Sequence, residues 1–293
     1  MASGNAFAAG RLPPSPDGCH PAAMTPDDLI RARYGALPFE PPAVIPPALA
    51  ALLDRRVTRR YRAEDVADPL LDTVLAAAQS APAKSDLQQY SIIVTRDAEK
   101  IAKVADWIGT MPWIKDAPVL LLFCGDMRRG QQACARHGRT HANNNMDTFL
   151  NTAVDAALAM GMAIAAADAA GLGTCPISYV RSHIEKVGPL FGLPHGVYPV
   201  AGLTLGWPEN RNETTPRLPP VAVIHREAYD DSALPAALDA YDALRPKQKP
   251  RYPDIHGPAP EGCTWSENAA RQLSVPERFG FRAWLRLRGF ALD

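Results

Sequence analysis

The sequence predicts an α+β domain built on a central sheet. Short β-branched or wholly apolar runs at Ser91–Thr95, Val119–Cys124 and Val197–Leu205 read as strands. Helical patterns lie between and around them, and one long helix of small residues runs from Met146 to Ala170. Helices alternating with a few apolar strands are what such a layered fold requires. No internal repeat interrupts the pattern.

The elements follow in order. Residues 1 to about 25 hold few large apolar groups to offset ordering entropy and are expected to stay mobile. Thr25-Pro26-Asp27-Asp28 then reads as a helix start, with Thr25 as N-cap and acids in the first turn. Pro46 opens a second short helix reaching Leu53. Asp68 is expected to cap a helix in which Leu71, Val74, Leu75 and Ala78 share a face, ending at Ala81-Pro82. Asp97 caps another helix, to Trp107. The polar stretch Arg128 to Asn145 reads as an irregular surface loop. The Met146 helix, stopped by Gly171-Leu172-Gly173, has so little side chain on any face that it is expected to be fully buried. Ser182-His183-Ile184-Glu185 reads as a capping box on a short helix. Two more helices follow, Leu234–Leu244 and Trp265–Arg288.

Composition narrows the function classes. The 293 residues carry 31 Lys+Arg against 31 Asp+Glu, so no basic excess points to nucleic acid. Cys19, Cys124, Cys134, Cys175 and Cys263 are scattered without metal-ligand spacing, as expected of reduced thiols in a cytoplasmic protein. His137 and His141 stand four apart but lack a third ligand, so a surface loop is the better reading and no metal is expected. The apolar run Ala156 to Ala167, closed by aspartates at both ends, falls short of the ~20 residues a membrane span needs.

Three segments suit an anionic, planar ligand. Arg55-Arg56-Val57-Thr58-Arg59-Arg60-Tyr61 packs four arginines into six residues, and arginine is the usual side chain for bidentate phosphate recognition. Ala81 to Gln88 is a polar turn whose amides could meet a heterocycle edge, and Gly171 to Ser178 reads as a second loop. These blocks, with Leu205-Gly206-Trp207-Pro208 and Pro216-Arg217-Leu218-Pro219, resemble in order and spacing the nitroreductase-like flavoproteins. The resemblance is to their NADPH-dependent, oxygen-insensitive nitroreductase and flavin reductase branch with a C-terminal extension.

That resemblance implies an FMN-dependent α+β fold, with a central mixed or antiparallel sheet flanked by helices in an intertwined homodimer. Residues 1–45 would form an N-terminal extension, 46–225 the FMN-binding core, and 226–293 a helical extension wrapping the partner. It places Arg55, Arg56 and Arg59 at the FMN phosphate and ribityl chain, with backbone from Val57 and Thr58 and a second phosphate ligand in Arg217. Ala83, Lys84, Ser85 and Gln88 would line the ring edge, where Lys84 would stabilise negative charge on the reduced ring. Pro176, Ile177 and Ser178 would lie against the ring. The implied reaction is ping-pong: NADPH or NADH gives hydride to flavin N5, and a nitroaromatic, quinone or flavin acceptor then takes the electrons, with no protein acid, base or nucleophile. Two alternatives stay open, a specialised flavin-dependent dehydrogenase or reductase of a metabolite and a flavin-binding protein without turnover.

The chain departs from the family pattern at Val57 and Ala83 (usually serine), Asp86 (asparagine), Met111 (glutamine) and Thr215 (lysine). Each departure costs about 1 kcal/mol of contact to FMN. Arg278 matches a nicotinamide-nucleotide ligand of the family, while Arg251, His256 and Glu261 in the stretch 247–263 find no clear counterpart.

Overall fold

The computed structural model describes residues 24–247, 253–258 and 262–293. The expected mobility of residues 1–23, and the positions Cys19, Arg251 and Glu261, lie outside these.

Four antiparallel strands form the sheet, β1 (Tyr90–Thr95), β2 (Val119–Asp126), β3 (Gly173–Ile177) and β4 (Val197–Gly206), in the order β1-β2-β4-β3. Strand β2 is buried along its whole length because both faces are covered, which explains its unbroken apolar run. Val119, Leu121 and Phe123 face a core shared with helices α3 (Asp68–Gln79) and α6 (Met146–Ala169). Leu120, Leu122 and Cys124 face a second core with Ile101, Val104 and Ile108 of α4 (Ala98–Ile108) and Val187 of α7 (Ile184–Leu190).

Several expected elements take a different form. The segment Gly171 to Ser178 is not simply a loop, since Gly173–Ile177 is the edge strand β3, and an edge tolerates Pro176. Helix α5 (Arg128–Arg136) occupies the start of the expected surface loop. Its glutamines, alanines and arginines are adequate helix formers, and Asp126 Oδ1 accepts from the Arg129 N–H at 3.1 Å. Helix α3 starts on Ala67, so Asp68 is not its cap and pairs instead with Arg96 at 2.8 Å. The expected capping box at Ser182 does not form, because a 3-10 turn over Ser178–His183 leads straight into α7. The last helix is two, α10 (Trp265–Leu273) and α11 (Phe281–Leu287), separated by a break containing Pro276.

Helix α6 is not fully buried in the single chain. Thr152, Asp155, Ala156, Ala159, Ala163 and Ala167 form its buried stripe, whereas Leu150, Val154, Leu158 and Met162 are 39–56% exposed. Its 24 residues have the length and composition of a bilayer span, but its buried side is committed to the sheet core and to backbone hydrogen bonds. The helix ends in a Schellman turn, with Gly171 at φ 78° and Leu172 N–H donating to Ala167 C=O at 2.9 Å.

The remaining helices are α1 (Pro26–Tyr34), opened by the Thr25–Asp28 capping box, α2 (Pro47–Leu53), α8 (Leu234–Leu244) and α9 (Pro253–His256). The end of the C-terminal extension docks on its own chain. Trp284, Leu285, Phe290 and Leu292 pack with Tyr198 and Phe149. Asn144 accepts from Ala291 N–H at 3.1 Å and donates to Gly289 C=O at 2.7 Å, while Asn145 caps α6. The asparagine run therefore ties the chain end to the start of the long helix.

Candidate active site

The basic segment lies along the outer side of β3. Val57 bridges Thr174 in parallel, and the Thr58 N–H donates to Thr174 C=O at 2.9 Å. Thr58 is buried against Gly173, where a Cβ would overlap its side chain. The Thr58 N–H is therefore already committed to β3. Val57 C=O likewise accepts from Asn212.

The segment's position is fixed from behind by Arg33 of α1, a residue no sequence motif marked. Its guanidinium donates to the carbonyls of Leu53 (2.7 Å), Thr215 (3.1 Å) and Arg55. Burial, and then the neighbouring charges of Arg217, Arg55 and Arg56, lower its pKa to about 10. It stays charged at neutral pH.

The structure does not gather the expected site residues into one place within the chain. Arg55, Arg56 and Thr58 line a cleft of 410 Å³ with Asp54, Asp168, Gly171 to Gly173 and Asn210 to Asn212. Arg56 pairs with Asp54 at 2.6 Å and donates to Thr214 Oγ1 at 3.2 Å, and Asp54 also pairs with Arg211. Arg55 Nη1 and Arg56 Nη1 are buried with no hydrogen-bond partner among the described residues. Asp168 Oδ2 is in the same position, and burial lifts its pKa to about 6 against the opposing pull of Arg55 and Arg33.

A second cleft, of 250 Å³, collects Arg59, Met111, Pro176, Ile177, Ser178 and Arg278, together with Trp113, Tyr179, Gln272 and Glu277. The Arg59 guanidinium stands 6.0 Å from the Trp113 ring centre, the outer limit of a cation–π contact. Thr215 and Arg217 line a third cleft with Tyr34, Tyr241 and Trp265. There the Arg217 side chain donates to the Thr215 and Pro216 carbonyls, so in this chain it is held by its own loop. Arg55 and Arg56, Arg59, and Arg217, expected at the FMN phosphate and ribityl chain, thus line three separate clefts of the single chain.

Ala83, Lys84, Ser85 and Gln88 line none of these clefts. They form the turn between α3 and β1, with Lys84, Ser85 and Gln88 exposed. Ser85, Asp86 and Gln88 have φ of 52°, 55° and 50°, a left-handed conformation that side chains other than glycine adopt at a cost. Asp155, wholly buried on α6, sustains it by accepting from the Lys84 and Gln89 N–H groups, each at 2.9 Å. A lone carboxylate inside a helix of small apolar residues was the available signal for Asp155, as it was for Asp168. Among the described residues no cluster of three or more metal-ligating side chains occurs.

The chain and its fold have known counterparts. The nitroreductase family matches residues 52–207, more than half the chain, and the nitroreductase family C-terminal domain matches residues 215–293. An FMN reductase [NAD(P)H] of Bacillus subtilis is 36% identical over 251 residues, 84% of this chain and 98% of that protein. An oxygen-insensitive NADPH nitroreductase of Salmonella typhimurium is 31% identical, over 84% and 98% of the two chains. Among solved structures, NfrA2 of B. megaterium superposes with a TM-score of 0.77 at 32% identity, covering 85% of this chain and all of that one. The NADPH:FMN oxidoreductase of Vibrio harveyi complexed with NAD+ gives 0.73 at 26% identity, covering 84% and 99%. With both family regions matched and relatives similar over nearly their full length, the chain belongs to the nitroreductase family.

Proposed function

We propose that the chain is an FMN-dependent NAD(P)H oxidoreductase that passes a hydride from the nicotinamide donor to a small nitroaromatic, quinone or flavin acceptor. The observation that carries this reading is the pair of buried guanidinium N–H groups of Arg55 and Arg56, unpartnered among the described residues beside a cleft. Buried donors without acceptors are costly, and a phosphate supplies acceptors of matching charge. The relatives named above as FMN and NADPH enzymes support the same ligand. FMN supplies the two-electron chemistry; the protein binds, orients and tunes it.

In this reading Arg55, Arg56 and Arg59 hold the phosphate end, and Ala83, Lys84, Ser85 and Gln88 present amides and side chains to the ring edge. Pro176, Ile177 and Ser178 provide a wall. Met111 and Thr215 stand where the family usually contributes polar groups, so they add shape rather than hydrogen bonds of that kind. Within one chain these groups lie apart, and the exposed apolar row Leu150, Val154, Leu158 and Met162 of α6 is a surface suited to a second copy. A homodimer would set the turn at residues 83–88 of one chain beside the clefts of the other. We place the enzyme in the cytoplasm, with residues 46–225 as the FMN-binding core between two extensions.

Flavin absorbance of the purified protein tests the proposal. Bound FMN bleached by NADH or NADPH under anaerobic conditions, and reoxidised by nitrofurazone, is the expected result. A colourless protein that neither binds added FMN nor gains melting temperature from it would overturn the reading.

A further inference from the structure

In the cleft that joins Arg59 and Ser178 to the C-terminal extension, the charged lining is not all positive. Glu277 lines the wall beside Arg278. Its Oε2 lies 3.2 Å from Arg278 Nη1, and its Oε1 lies 2.7 Å from Nε2 of the buried His256. The carboxylate is thus fixed from behind and pairs with Arg278, the cation that the extension contributes to this wall among the described residues. Arg59, the other arginine lining the cleft, stands over Trp113. Arg181 shares the electrostatic neighbourhood of Glu277 and Arg278 but donates to the Val200 carbonyl and does not line the cleft.

We infer that Glu277 is a specificity-determining residue that biases the donor toward NADH over NADPH. The inference rests on the oxidoreductase reading above. A 2′-phosphate reaching Arg278 must displace its carboxylate partner and then sit against a negative charge that His256 keeps in place. A free ribose 2′-hydroxyl can instead donate to that carboxylate, the same logic by which an acidic side chain selects NAD and an arginine selects NADP in other nucleotide sites. Gln272, on the same wall, is a further partner for ribose oxygens.

The experiment compares FMN-loaded wild type with Glu277→Gln and Glu277→Gln/Arg278→Gln. It measures kcat/KM for NADH and NADPH, and binding of 5′-AMP and 2′,5′-ADP by calorimetry, which needs no turnover. Wild type is expected to favour NADH and to bind 2′,5′-ADP no more tightly than 5′-AMP. Glu277→Gln, which keeps an acceptor for His256, should raise the NADPH-to-NADH ratio and 2′,5′-ADP affinity about tenfold, equivalent to ~1.4 kcal/mol. The double variant should lose that gain. Wild type favouring NADPH, or a ratio unmoved by Glu277→Gln in an enzyme that both donors reduce, would overturn the inference and leave the oxidoreductase reading standing. Failure of both donors to reduce bound FMN would overturn both.

Discussion

Arg55 and Arg56 sit at one end of the basic segment among Asp54, Asp168 and Arg211, while Arg59, three residues on, stands exposed over Trp113 and shares a cleft with Ser178 and Arg278. The first end is embedded in a network of opposite charges and is held by Arg33 through the Arg55 carbonyl. The second end has far less structure behind it. Side chains of one type, close in sequence, have thus separated into a pair whose loss both the fold and a ligand would feel and one whose loss a ligand alone would feel.

The sharpest way to break the first end is Arg33→Met. It removes a buried cation and leaves the carbonyls of Leu53, Arg55 and Thr215 without their donor. The expected cost is about 3 kcal/mol, read as a fall of roughly 6 to 12 °C in the melting temperature. An unchanged melting curve would show that the segment is positioned by β3 alone.

Asp155→Asn tests the turn that lies apart from both ends. An amide cannot accept from the Lys84 and Gln89 N–H groups with both of its polar atoms. A loss of about 2 kcal/mol and faster amide exchange across residues 84–89 are expected. If the proposed function is right, FMN affinity falls with them.

For the second end, Arg59→Ala should weaken FMN binding by about 1.5 to 3 kcal/mol while the cofactor-free protein melts as before. Arg56→Ala should lower the melting temperature of the cofactor-free protein, because Asp54 loses its 2.6 Å partner. Equal effects of the two variants on both measurements would erase the distinction drawn here.

The smallest effect concerns Asp168. Its folded pKa of about 6 lies above the ordinary value of 3.8, so the ionised carboxylate opposes folding. That penalty is absent below about pH 3.8, grows through the window up to about pH 6, and is complete above it. Asp168→Asn should therefore melt higher than wild type at pH 8, by about 1 kcal/mol after allowance for solvent screening. The difference should close by pH 4, and a constant offset across this range would contradict the assignment.

The sheet centre was legible because Val119–Cys124 is a continuous apolar run and Val197–Leu205 is one broken by a single polar side chain, Thr204, as burial on both faces favours. Strand β3 was not, since Gly173 and Pro176 read as loop residues and only its edge position makes them acceptable. The arginines were visible as a group, but their division depends on Arg33 and Asp54, whose contacts with the segment only the folded chain shows. The turn at residues 83–88 was visible as polar, yet its left-handed backbone depends on Asp155, which lies 71 and 66 positions from the two amides it holds and is hidden among alanines. Small residues on α6 announced close packing but concealed that Leu150, Val154, Leu158 and Met162 share an uncovered side.

The hydrogen bonds that Asn144 donates to Gly289 C=O and accepts from Ala291 N–H, with Phe290 and Leu292 in the aromatic cluster around Tyr198, make residues 289–293 part of the fabric that starts α6. Removing residues 289–293 would therefore loosen the entry to the helix that carries Asp155. A variant lacking these five residues would show a loss of folded protein out of proportion to the length removed.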